Sequence, residues 1–175
     1  MKNITKIVFF EKSRYHKLMR IIGIDPGTAI VGYGIVDYCD GECVLVSSGS
    51  IQTEKGVDDA FRLKEIQSDL TSILEKFKPE VASVEKLFFC KNQKTVISVA
   101  QGRGVILATL ANYVSKIFEY TPMQIKLAVT GYGKSRKEDV AEMVKRQIKY
   151  TTFPTLDDTA DAIAMAVCHI KTCGE

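Results

Sequence analysis

Four acidic residues stand where folding alone gives little reason for an acid. Asp25 closes the apolar run Ile21-Ile22-Gly23-Ile24 and opens a Pro26-Gly27 turn. Glu85 closes a second apolar run, Val81 to Val84. Asp158 and Asp161 lie three apart, on one helical face, at the mouth of a segment that is otherwise nearly all apolar. If the two runs are parallel neighbours and the helix packs beside their ends, four carboxylates converge. Like charges at short range raise one another's pKa. Hard divalent cations, bound through oxygen, relieve that conflict. Two such ions ~3.5–4 Å apart can activate a water and stabilise the leaving oxygen in phosphodiester hydrolysis.

Each acid also has a structural reading. Asp25-Pro26-Gly27 suits a strand-ending turn, and Glu85 suits a surface strand end. Asp157 and Asp158 both suit a helix N-terminus, where Asp caps well and meets the positive end of the dipole. Asp161, inside the helix between alanines, fits a structural role least. Asp157 and Asp161 also share a face, so spacing does not choose between 157 and 158. Capping is assigned to Asp157 and chemistry to Asp158. No Ser/His/Asp set suggests a covalent intermediate. His169, two helical turns beyond Asp161, reads as a surface or packed residue, and His16 lies in the amino-terminal segment.

Two basic groups accompany the acids. Lys126, Lys134, Arg136 and Lys137 flank a Gly131-Tyr132-Gly133 loop, and Lys86, Lys91, Lys94 and Arg103 surround the Glu85 segment. Nucleic-acid contacts of this kind go mostly to phosphates; a solvated basic face is the alternative. Phe88 sits among polar groups just after an acid. It could stack on an unpaired base, worth ~1–3 kcal/mol, or belong to the core.

Hydrophobic periodicity supplies the elements that would position these groups. Strands are expected over 20–25, 31–38 and 42–52, with Asp40-Gly41 as a hairpin turn. Residues 57–77 carry Leu63, Ile66, Leu70, Ile73, Leu74 and Phe77 at helical spacing. A buried strand follows at 81–84, ending in Glu85, then a long helical pattern over 93–117. A further strand is expected within 118–129. Residues 135–148 read as an amphipathic helix with Ser135 as N-cap and Glu138 completing a capping box. A last helix spans 157–171. The order β-β-β-α-β-α-β-α-α implies an α/β domain with a mixed sheet and helices on both faces. In the 93–117 helix, Gly102 and Gly104 would allow close approach of a second copy, or ordinary core packing.

Length and composition agree. A chain of 175 residues makes one compact domain. No run approaches the ~20 apolar residues of a membrane helix, and no export signal is evident, so a cytoplasmic protein with reduced thiols is expected. The net charge of +3 is misleading. The first 18 residues carry five basic side chains against Glu11 alone. Residues 19–175, with 19 basic and 20 acidic side chains, come to −1. Residues 1–18 are treated as an extension of unknown role and 19–175 as the domain.

Five segments together resemble the RuvC-type Holliday-junction resolvases. They are Gly23-Ile24-Asp25-Pro26-Gly27-Thr28 with Gly32-Tyr33-Gly34; Val84-Glu85-Lys86-Leu87-Phe88-Phe89 with Lys91-Asn92; Gln101-Gly102-Arg103-Gly104-Val105; Gln124-Ile125-Lys126 through Gly133 with Lys137; and Asp158-Thr159-Ala160-Asp161-Ala162. Each is weak alone, but five in family order over 19–171 are specific. The resemblance implies a ribonuclease-H-like fold with a five-stranded mixed sheet, an antiparallel meander followed by parallel strands. It implies catalytic and metal-binding roles for Asp25, Glu85, Asp158 and Asp161, with two Mg²⁺ ions per site and Mn²⁺ as a substitute. It implies a homodimer that nicks four-way DNA junctions symmetrically, leaving 5′-phosphate and 3′-hydroxyl ends, and works with a branch-migration helicase. It favours DNA contact by Phe88, Lys91, Arg103, Lys126, Lys134, Arg136 and Lys137. Three rivals stand beside this reading. An actin-like phosphate-binding ATPase would need a duplicated lobe, for which the chain has no room. A nuclease of RNA–DNA hybrids would share the metal site. A catalytically dead binding module would not need four intact carboxylates.

Overall fold

The computed structural model describes residues 18–86, 93–154 and 157–173. Strands β1 (Met19–Asp25), β2 (Ile30–Cys39) and β3 (Glu42–Gln52) form the expected antiparallel meander. At the β2–β3 turn, Asp40 and Gly41 both take positive φ, 54° and 82°. That pair matches the twist of a tight hairpin. Helix α1 (Asp59–Phe77) leads to β4 (Val81–Glu85), which pairs parallel with β1. Helix α2 (Gln93–Ala111) leads to β5 (Lys116–Tyr120), which pairs parallel with β4. Helices α3 (Pro122–Thr130), α4 (Lys137–Gln147) and α5 (Asp157–Cys173) complete the chain. The sheet order is β3-β2-β1-β4-β5.

Alternation along the strands divides the core into two layers. Ile22, Ile24, Val31, Ile35, Ala82 and Val84 pack on one face with Ile66, Leu70 and Leu74 of α1 and Ile106 and Leu110 of α2. Ile21 and Val36 pack on the other with α3, α4 and α5. Helix α5 is buried from Ala162 to Ile170, which explains its lack of a polar stripe.

Three expectations need correction. The helix expected over 93–117 stops at Ala111. The Asn112 and Tyr113 amides bond back to Thr109 and Leu110, a tightened last turn, and Lys116 already belongs to β5. Val114 is partly buried in the α1–α2 layer, which kept the helical period alive past the true end. Second, Pro122–Thr130 is a helix that the expected element order lacks. Its start was signalled: Thr121 caps Gln124 and is capped by it, and proline stands at the first helical position. Third, α4 starts at Lys137, not behind a Ser135 cap. The buried Ser135 hydroxyl donates to the Tyr132 carbonyl at 2.7 Å, and Asp139, rather than Glu138, accepts the Arg136 amide at 3.2 Å.

Candidate active site

Side-chain alternation determines which face each strand-end acid meets. Asp25 is two residues beyond Gly23, whose α-carbon lies against α5: a Cβ there would stand 2.0 Å from the Ala162 carbonyl oxygen. Glu85 is two residues beyond Ser83, whose hydroxyl donates to the Met165 carbonyl of α5 at 2.7 Å. Both acids therefore belong to the α5 face. Parallel pairing of Ile24 with Val84 sets the two acids side by side at adjacent strand ends.

Glycines bring the other two acids in. A Cβ on Gly32 would come 2.1 Å from the Asp158 carbonyl oxygen, and one on Gly34 would come 3.0 Å from the Ile163 α-carbon. Gly32 pairs with Asp25, and Gly34 with Gly23. Three glycines on two strands thus let the α5 backbone lie directly on the sheet. The start of α5, with Asp158 in its first turn and Asp161 in its second, is held beside the end of β1.

Electrostatics record the convergence. The Asp25 carboxyl is pushed up to about 7, first by burial and then by Glu85, Asp161 and Asp158. Glu85 is raised by burial and by Asp161, and relieved by a hydrogen bond with Asp25 and by Lys137. Burial and their neighbours' charges raise both carboxyls, so the pair favours holding a proton. Lys137 lies 2.8 Å from an Asp161 oxygen and 3.7 Å from Asp157, and Asp161 holds its ammonium above the ordinary lysine value. The Lys137 ammonium supplies positive charge beside Asp161. Among the described residues no three acidic, His or Cys side chains close a ready-made ligand cage. The donors fit hard cations because all are carboxylate oxygens and their mutual repulsion calls for positive charge. A cleft of about 190 Å³ opens beside Glu85 and Asp161, with Lys126 and Lys137 on its rim and Ile125 and Met165 among its apolar walls.

The other expected site residues divide. Lys126 and the exposed Lys134 flank the α3–α4 connection, and Arg136 is exposed and paired with Asp139 at 3.2 Å. Lys137 lies within the acidic cluster itself. Arg103 turns inward: its side chain is only 15% exposed, its guanidinium pairs with Glu119, and its Nε donates to the Glu85 carbonyl at 3.2 Å. Phe88 and Lys91 lie outside the described residues. Asp157 is the first helical residue of α5 and is exposed. His169 is packed, as expected, with Nδ1 2.9 Å from the Tyr120 hydroxyl. Burial, and secondarily Lys116, lowers its pKa.

Sequence reasoning missed the brace around the Asp25 turn. The Thr28 carbonyl accepts from the Thr53 hydroxyl at 2.6 Å and from Arg62 at 3.2 Å, and Ser98 of α2 bonds the Thr28 hydroxyl at 3.1 Å. Gly102 lies against the same turn, where a Cβ would meet Thr28 at 2.8 Å. Its small size thus serves packing within the chain. Gly104, by contrast, faces open space. The glycine after Asp25-Pro26 was the one visible signal of a tightly built turn.

Comparison with known proteins agrees with this geometry. The profile of the family described as crossover junction endodeoxyribonuclease RuvC matches residues 21–169. A relative of that description from Caldanaerobacter subterraneus subsp. tengcongensis is 44% identical over 151 residues, 86% of this chain and 92% of its own. One from Prochlorococcus marinus (strain NATL2A) is 51% identical over 152 residues, 87% of this chain and 98% of its own. Thermus thermophilus RuvC, solved in complex with a Holliday junction substrate, aligns at a TM-score of 0.79 and 28% identity, covering 89% of this chain and 96% of that one. The yeast mitochondrial Holliday junction resolvase Ydc2 shares the fold at 15% identity and a TM-score of 0.65, over 87% of this chain and 78% of that one. The sheet is the ribonuclease-H-like sheet of these enzymes. With the profile matched over residues 21–169 and relatives at 44% and 51% identity over most of both chains, the chain belongs to the family of RuvC crossover junction endodeoxyribonucleases.

Proposed function

We propose that this protein is a structure-specific endodeoxyribonuclease that resolves four-way DNA junctions, with Asp25, Glu85, Asp158 and Asp161 as its catalytic carboxylates. The observation that carries the reading is the meeting of four acids from three elements on one face of the sheet, close enough to push Asp25 to about 7. Bound divalent cations would relieve that repulsion and make use of all four oxygen donors.

Divalent-metal dependence accompanies membership of the family. Two Mg²⁺ ions, or Mn²⁺ in their place, held by these oxygens would supply an activated water and stabilisation of the departing 3′-oxygen, leaving 5′-phosphate and 3′-hydroxyl ends. The chain's own part is to hold and charge the ligands. Asp25, whose carboxyl is raised by burial and by its neighbours, must be ionised to serve as a ligand. Lys137 must release Asp161 and can then turn to a phosphate. Lys126, Lys134 and Arg136 line the approach and bind the phosphate backbone. Phe88, just beyond Glu85, would stack on an unpaired base at the junction centre.

Symmetric paired nicking calls for a two-fold dimer. The outer face of α2 is the candidate contact: Ile97 is 70% exposed there, and Gly104 leaves room for close approach. A branch-migration helicase is the further partner in this reading, and the cytoplasm its compartment.

The test compares a mobile four-way junction, a linear duplex and an RNA–DNA hybrid, each with Mg²⁺ and with EDTA. Cleavage confined to the junction and abolished by EDTA is expected. Preferential cutting of the hybrid would keep the carboxylate site and overturn the substrate.

A further inference from the structure

Glu85 is the last residue of a strand of only five residues. We infer that Arg103 is a positioning residue for Glu85, acting with Glu119 from the opposite face of the sheet. The inference rests on the proposed role of Glu85.

Strand alternation gives the geometry. Ile117 packs in the α1–α2 layer and Phe118 in the α5 layer, so Glu119 belongs to the α1–α2 face. Arg103, on α2, meets it there. Glu119 pairs across the ladder with Val84, the residue before Glu85. Arg103 Nε donates to the Glu85 carbonyl at 3.2 Å while the guanidinium pairs with Glu119, at side-chain exposures of 15% and 34%. One planar guanidinium thus ties α2 to both β4 and β5. The Glu85 side chain projects to the other face, toward Asp25 and Asp161. Arg103 therefore reaches the backbone of the acid and leaves its carboxylate free. The same helix braces the Asp25 turn through Ser98 and Gly102. Helix α2 fixes the spacing of two strand-end acids from behind, as outer-shell partners orient metal ligands elsewhere.

This role differs from a phosphate contact in what it makes each substitution do. A DNA-contact arginine, once removed, weakens junction binding and lowers the salt slope by about one, and its carboxylate partner is dispensable. A positioning arginine leaves junction binding alone and acts as a unit with Glu119.

The experiment uses the full chain with Arg103→Lys, Glu119→Gln and both together, each checked for folding by thermal melting. Mn²⁺ binding is measured without DNA by electron paramagnetic resonance. Junction affinity is measured in EDTA over a salt series. Each single substitution is expected to weaken Mn²⁺ binding by roughly 10- to 100-fold, with the double no worse than the singles and junction affinity within about twofold of wild type. Weaker junction binding and a lower salt slope for Arg103→Lys, with Glu119→Gln silent, would overturn the inference. So would unchanged Mn²⁺ binding in Glu119→Gln, which removes the charge but keeps the shape if the arginine variant fails to fold. Asp25→Asn runs alongside: full Mn²⁺ binding in that variant would defeat the carboxylate reading itself, separately from the arginine result.

Discussion

Asp25 makes the stability of the metal-free protein depend on pH in the sense opposite to most carboxylates. Its carboxyl is raised from 3.8 to about 7, so the folded state binds the proton more tightly than the unfolded state. Between those values the native protein carries more protons, and stability falls as pH rises. The whole shift corresponds to about 4 kcal/mol, of which about 2 to 3 kcal/mol is lost between pH 5 and pH 8. Glu85, also raised, adds in the same direction. Asp25→Asn removes the buried charge and keeps the shape. It should change stability little at pH 5 and raise it at pH 8, by on the order of 10 °C in Tm for a domain of this size. The assay is thermal melting in EDTA of both proteins at the two pH values. Adding Mg²⁺ should stabilise the wild type at pH 8 and leave Asp25→Asn nearly unmoved. An asparagine variant destabilised equally at both pH values would refute the reasoning, because the acid would then be serving the fold.

Other perturbations reach the remaining parts of the site. Gly32→Ala places a methyl 2.1 Å from the Asp158 carbonyl oxygen, so α5 must lift; a loss of about 3 kcal/mol or more in urea unfolding is expected, with cleavage lost as well. Lys137→Gln removes the ammonium from Asp161. It should raise the pH at which Glu85 ionises, visible by carboxyl NMR, and slow cleavage at least tenfold with only a modest loss of junction affinity. Ile97→Glu puts a charge on the exposed face of α2; sedimentation should show monomers where the wild type sediments as a dimer, with an unchanged melting temperature of the monomer fold.

The meander and the strand-end positions of Asp25 and Glu85 were legible because both rest on local signals. Asp25 and Glu85 each end a short apolar run, and Asp40-Gly41 dictates its own turn. The close seat of α5 was written in Gly23, Gly32 and Gly34, but only the strand pairing reveals that all three face one helix. Helix α3 was hidden because its buried pair, Ile125 and Val129, is too short a pattern to outvote the adjoining strand. Its cap was the better guide. Arg103 shows the limit most plainly. A basic residue near the Glu85 segment reads as a DNA contact until the sheet shows that it faces Glu119 and the Glu85 carbonyl. Lys137 failed in the other direction: it lies 24 residues from Asp161 in sequence and 2.8 Å from it in space.

The most direct test of the account maps nicks on all four strands of a mobile junction, with Mg²⁺, for wild type and Asp25→Asn side by side. The account predicts paired nicks at symmetric positions on two strands of like polarity for the wild type, and an intact but still bound junction for the variant. Nicking that survives Asp25→Asn would contradict the central claim that these carboxylates carry the chemistry.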